Sequence, residues 1–316
     1  MIIVDGHFDL LPLVYEHRRK NEKNVIQNQF LKDFTEGKIN IIVSSLYIMD
    51  NYLPEMALRV ALDQISSLYY EIEESGGKYL LCKNYNDIEL AINNKLIGIL
   101  LSFEGVEPIY NDIYLLRIFY NLGVRFVGLT WNRRTYAADG IGIQNSNGGL
   151  TDFGLNVLKE SQKLGMLIDV SHLNEKGFWD VIKNTTNPVI ASHSNARKIF
   201  DSPRNLTDEQ IKAIANTDGI IGINANGMFV SEKKEENNEL GLLKHIVHIA
   251  NLAGVQHVAL GLDLCDGFRN QSMDSLNGYK SLEKLYHILD KNGFSKKEIE
   301  MIFGKNYLNL YKKYLK

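Results

Sequence analysis

Cysteine is nearly missing from this chain, with Cys82 and Cys265 alone among 316 residues. No CxxC pair or framework spacing joins them, which argues against a disulfide scaffold or a cysteine-built zinc site and predicts free thiols in a reducing cytosol. Proline is scarce too, at five residues, and no stretch rich in proline, serine or charge divides the chain. It therefore reads as one domain over 1–316. There is no apolar run of about 18 residues, the length that a membrane-spanning helix needs. The first residues lack the basic segment and long apolar stretch of a secretory leader, so the expected location is cytoplasmic, with no membrane partner. An excess of one charge is also lacking. Lys+Arg 35 against Asp+Glu 38 leaves a net charge of −3, no footprint for nucleic acid.

What the chain does have is 45% hydrophobic residues, distributed in short runs. Eight of them, at 2–4, 41–46, 96–103, 124–130, 166–170, 188–192, 220–224 and 258–262, are rich in β-branched residues and almost continuously apolar. That pattern predicts strands buried on both faces, as in a parallel sheet. Segments of helical period lie between them, at 56–74, 113–121, 152–164, 175–183, 208–215 and 240–253. Thr151, Asn174 and Thr207 stand where N-caps belong, and Gly123, Gly165 and Gly254 stand where helices end. Alternating strands and helices with right-handed crossovers predict an α/β fold, a (β/α)8 TIM-type barrel. Two or three extra C-terminal helices follow from Ser281. The segment 49–94 must hold more than one helix, and "SEKKEENNELG" reads as a mobile solvated loop.

In such a barrel the active site lies at the C-terminal ends of the strands. Those ends read "DGHFD", "SFEGVEP", "IDVSH", "ASHSNAR" and "GLDLCDG", bringing His7, Asp9, Glu104, His172, His193 and Asp263 to one rim. The other histidines, His17, His245, His248, His257 and His287, fall in helices or on surfaces and read as structural. Imidazoles mixed with carboxylates suit Zn²⁺ and its first-row neighbours. Residues two apart on a strand share a side, so His7 and Asp9 can reach one metal. His172 and His193, from neighbouring strands, can reach a second, with Glu104 between the two. Two metals about 3.5–4 Å apart hold a water and acidify it. Asp263 is left over as the general acid/base, with Asp266 as its competitor. Asp5 and Asp169 are candidates either for orienting histidine rings or for capping turns.

The motifs "VDGHFDL", "FEGVEP", "IDVSH", "ASHSNAR", "SPRNLTDEQI" and "GLDLCDG", in this order, resemble the membrane dipeptidase family of binuclear-metal amidohydrolase barrels. The resemblance covers nearly the whole chain, from His7 to about Asn306. It implies a zinc-dependent dipeptidase that also accepts dipeptides with a C-terminal D-residue, holds two Zn²⁺ per chain and forms a homodimer. It implies metal ligands at His7, Asp9, Glu104, His172 and His193, the acid/base at Asp263, and an arginine for the substrate carboxylate at Arg204, with Arg197 as rival. In two places the chain departs from the family. Trp131 stands where better-known members carry a histidine that meets the substrate carbonyl, leaving the indole N–H or Asn132 as the donor there. "GLDLCDG" is also one residue longer than usual. Trp131, Tyr136 and the "GIGIQNSNGG" loop are expected as pocket walls. The alternatives are another amidohydrolase acting on an N-acyl amino acid, cyclic amide or lactone, or a metal-containing barrel that binds peptides without turnover. Many amidohydrolases bridge their metals with a modified lysine on the fourth strand; this chain has "LTW" there, and Glu104 supplies the bridge.

Overall fold

The computed structural model describes residues 1–264 and 274–316; Cys265 and Asp266 lie outside the described residues. Eight parallel strands run in the order β1 (Val4–Phe8), β2 (Ile41–Leu46), β4 (Ile97–Glu104), β5 (Val124–Gly128), β6 (Leu167–Asp169), β7 (Val189–Ala191), β8 (Ile220–Ile223) and β9 (Val258–Leu260). They make the nearly closed barrel of a (β/α)8 fold, and every residue in them is buried. One short strand, β3 (Tyr79–Leu81), escapes sequence reasoning. It pairs with Ile97–Ile99 at the start of β4, whereas β5 pairs only from Leu101 onward, so β3 fills the unmatched edge.

Side chains alternate between two cores. Val4, Ile41, Val43, Leu100, Phe126, Leu167, Ile190, Ile220 and Ala259 point inward, where Tyr307 and Tyr311 of the last helix plug the barrel. Their neighbours, such as Ile42, Leu101 and Ile221, face the surrounding helices. The plug explains Gly6, where a Cβ would lie 2.1 Å from the Tyr307 hydroxyl.

The helices keep close to their expected bounds: Ala57–Glu74, Ile113–Leu122, Asp152–Leu164, Glu175–Asn184, Asp208–Asn216 and Glu239–Ala253. Thr151, Asn174 and Thr207 accept N-cap hydrogen bonds, Thr207 in a full capping box. Gly123, Gly165 and Gly254 all take positive φ at helix ends. Segment 49–94 holds Ala57–Glu74, β3 and Tyr85–Asn93, and the chain ends in Leu282–Lys291, Lys296–Glu300 and Asn306–Tyr314. No helix among the described residues is long and apolar enough to cross a membrane.

The first strand departs most from expectation. Predicted at 2–4, it runs instead from Val4 to Phe8, through the polar residues. Asp5 makes this possible. It is fully buried, and its carboxylate accepts the backbone N–H groups of His7 and Leu262 and the hydroxyl of Tyr279. A side chain thus replaces ladder bonds where β9 meets β1. Asp5 closes the barrel and does not orient a histidine ring.

Candidate metal centre

The site is built where that first strand breaks register. Pairing with β2 shifts between Asp5 and Phe8, and such an irregularity re-aims a side chain. Phe8 packs among Phe30, Phe34 and Tyr279 outside the barrel. The His7 ring instead stacks on His193 with centroids 3.8 Å apart. Asp9 lies past the strand, at the N-cap of helix Leu10–Arg18, and the Ser45 hydroxyl donates to it at 2.6 Å. His7 Nε2 is 3.6 Å from Asp9 Oδ1, 3.7 Å from Glu104 Oε1 and 3.9 Å from Asp263 Oδ1.

Glu104, the last residue of β4, also reaches the other two histidines. Its Oε1 is 3.1 Å from His172 Nε2 and 3.8 Å from His193 Nε2, and those two nitrogens are 2.8 Å apart. One rim therefore gathers His7, Asp9, Glu104, His172, His193 and Asp263, all buried or nearly so.

The far side of each ring decides what the near side can do. His193 Nδ1 is 2.7 Å from the Ser192 hydroxyl, which donates onward to Asp169. His193 must then donate to the serine, leaving Nε2 as a bare lone pair. His172 Nδ1 is 2.8 Å from Asn132 Oδ1, an acceptor, so its Nε2 is bare as well. Two lone pairs facing each other at 2.8 Å, with a carboxylate oxygen beside them, repel; the Arg204 guanidinium reaches only the one on His172, and a cation between them would relieve the rest. Both ring nitrogens of His7 are buried with no hydrogen-bond partner. This donor set fits divalent metals of the Zn²⁺ type.

The electrostatics agree. Burial, then the charge on Asp9, raises Glu104 well above the usual carboxylate range. Burial opposes charge on His7, yet Glu104, Asp9 and Asp263 hold its imidazole up to about 10. Burial keeps His172 and His193 neutral, with Arg204 and His7 respectively adding to the effect. His172 and Asp263 both take left-handed backbone, φ 66 and φ 55, a costly conformation for non-glycine residues that clusters at functional sites. The Ile141 N–H holds the carbonyl of His172 at 2.7 Å, and Asp263 donates its N–H to the His7 carbonyl at 3.2 Å.

Arg204 comes to the same place from the loop after β7. Its guanidinium is buried; Nη2 lies 3.1 Å from His172 Nε2 and 3.3 Å from the His193 carbonyl, and Nε has no partner. The rival Arg197 has another task. It donates to the carbonyls of Ser202, Pro203 and Asn205, stapling the loop that carries Arg204.

Two expectations change. Asn132, expected to meet substrate, turns its carbonyl to His172 Nδ1 behind the metal-facing nitrogen, because the chain after β5 folds back along His172. Asp169 orients His193, but only through Ser192. Trp131 keeps its place on the rim, 5.9 Å from the His172 ring and 5.2 Å from Tyr47, under the Arg133 guanidinium. Tyr136, 60% exposed, lines a cavity of about 420 Å³ with Leu53, Pro54, Tyr110 and Arg133. The "GIGIQNSNGG" loop reaches the site through Ile141. Ser45, Ser192 and Asn224 escaped sequence reasoning; their signal was a polar residue in or just after a buried apolar run.

Comparison with known proteins points one way. Residues 1–314 match the family model described as membrane dipeptidase, peptidase family M19. A Klebsiella pneumoniae protein described only as uncharacterized, from the pqqA 5′ region, is 32% identical across 82% of this chain and 98% of its own length. An uncharacterized dipeptidase of Schizosaccharomyces pombe is 28% identical across 98% of this chain and 80% of its own. Among solved structures, a dipeptidase of family M19 superposes with TM-score 0.90 at 25% identity, covering 100% of this chain and 99% of that one. A Rhodobacter sphaeroides metallopeptidase, holding a phosphinate mimic of L-Ala-D-Ala, has the same fold, with TM-score 0.90 at 24% identity over 99% of both chains.

Proposed function

Because the chain belongs to the membrane dipeptidase family, a family of metal-dependent peptide hydrolases, we propose that it cleaves dipeptides, those with a C-terminal D-residue included, using two Zn²⁺. The observation that carries this reading is the convergence of metal-competent atoms from His7, Glu104, His172 and His193 beside a buried, under-partnered Arg204. His7, Asp9 and Glu104 would hold one cation, and Glu104, His172 and His193 the other. When bound, the cations supply a water of lowered pKa and polarise the scissile carbonyl.

The chain's own residues do the rest. Arg204 offers a guanidinium fork to the free carboxylate that every dipeptide carries. Burial pulls its pKa down, while Asp263 and Glu104 oppose that, so an incoming carboxylate strengthens an under-paired charge. Asp263 faces the ligand cluster through Oδ1. It takes a proton from water as the oxygen adds to the carbonyl carbon, and returns it to the leaving nitrogen as the C–N bond breaks. Trp131 and Tyr47 wall the side of the site next to His172.

Chelation followed by a panel of dipeptides and N-acyl amino acids tests the reading. Dipeptide hydrolysis should vanish without metal and return with Zn²⁺, while N-acyl amino acids remain intact. Turnover that survives complete metal removal refutes it.

A further inference from the structure

Asp263 is held by a side chain that no part of the reaction above uses. Asn224 follows β8 directly and is 1% exposed. Its Nδ2 donates to Asp263 Oδ2 at 3.2 Å and to the His193 carbonyl at 3.3 Å. The amide has one possible orientation, because Oδ1 accepts the Asn226 N–H at 2.6 Å, leaving Nδ2 on the side of the carboxylate. Its backbone is fixed as firmly. Asn195, two residues past His193, accepts the Asn224 N–H at 3.1 Å and donates to the Asn224 carbonyl at 2.9 Å. Asn195 also donates to the Phe229 carbonyl. The two asparagines thus join the strand ends that carry His193 and Asp263.

We propose that Asn224 is a positioning residue for the general acid/base, gripping one oxygen of Asp263 so that the other stays turned to the ligand cluster. The geometry carries this. Oδ2 is engaged by Asn224, and Oδ1 is the atom 3.9 Å from His7 Nε2. A carboxylate on a strand end can rotate about its last bond, and misplacement of a reacting group by about 1 Å can cost on the order of 100-fold in rate. The inference rests on the acid/base reading of Asp263.

The test is a double-mutant cycle on the Zn²⁺-loaded enzyme, with Asn224→Ala, Asp263→Asn and the pair. Asn224→Ala should lower kcat by about 10- to 100-fold while KM stays within about twofold and bound zinc is unchanged. Once Asp263 is already asparagine, the alanine change should cost nothing further in residual turnover, since the carboxylate it positions is gone. Should Asn224→Ala fail to fold, Asn224→Ser removes the donor to Asp263 by shortening the side chain, keeps a neutral hydroxyl that can accept from the Asn226 N–H, and carries the same expectation. Parent-like kcat, or losses that multiply in the pair, overturns the inference while leaving Asp263 in its role. If Asp263→Asn itself turns over like the parent, the acid/base reading fails instead.

Discussion

Replacing Asn132 with alanine separates two readings of the rim. The sequence suggested a contact with substrate, whereas the structure puts Asn132 Oδ1 2.8 Å from His172 Nδ1. On the structural reading, Asn132→Ala leaves a buried imidazole N–H without an acceptor and frees the ring to change tautomer. An unpaired buried donor costs roughly 1–3 kcal/mol. Loss of the partner behind a metal-binding histidine typically costs about 10- to 100-fold in metal affinity, which is about 1.4–2.7 kcal/mol at ~1.36 kcal/mol per decade. The two figures agree, so the weaker of the two zinc-binding steps should lose one to two decades of affinity. Asn132→Asp, which keeps an acceptor at the same place, should retain it. The assay is titration of metal-free protein with Zn²⁺ against a chromophoric chelator, followed by kcat and KM at saturating zinc. Unchanged zinc affinity with a raised KM would refute the reasoning and return Asn132 to the substrate.

Three further outcomes follow from the same geometry. A histidine must lose its proton to bind metal, and His7 is held up to about 10 in the metal-free cluster. Zinc affinity should therefore rise about tenfold per pH unit, near 100-fold from pH 6 to pH 8 in a chelator-buffered titration; a flat profile contradicts this. Asp263→Asn should keep both metals by elemental analysis while dipeptide hydrolysis falls by about 100-fold or more, and normal turnover removes Asp263 from its role. His245, fully buried between the Ala196 N–H and the Val230 carbonyl, is pulled by burial down to about 4. The unfolded chain takes up that proton first, near pH 6.5, so stability present above that pH is lost as pH falls toward 4. The loss is roughly 2 kcal/mol by pH 5, and His245→Gln should flatten that part of the urea-midpoint profile; parallel profiles would contradict it.

Much of the barrel was legible because strands buried on both faces leave continuous β-branched runs, and because caps such as Thr207 and Gly165 have local causes. The first strand was misplaced because its polar stretch looks like an ending. Only the fold shows that the Asp5 carboxylate replaces ladder bonds to the last strand. β3 was missed because three residues of Tyr-Leu-Leu carry no period. Within the site, His and carboxylate side chains could be read because metal chemistry restricts residue type at strand ends. Asn224 and Ser192 could not, and Asn132 was found but given the wrong neighbour, since an amide or hydroxyl at a strand end has many ordinary uses and only distance shows which ring or carboxylate it faces.

The most direct test is a crystal structure of zinc-loaded protein with a phosphinate dipeptide mimic, the metals placed by anomalous scattering at the zinc edge. The account predicts two zinc ions sharing Glu104, one on His7 and Asp9 and one on His172 and His193, with the mimic's carboxylate on Arg204. A single zinc, or zinc bound away from these side chains, would contradict it.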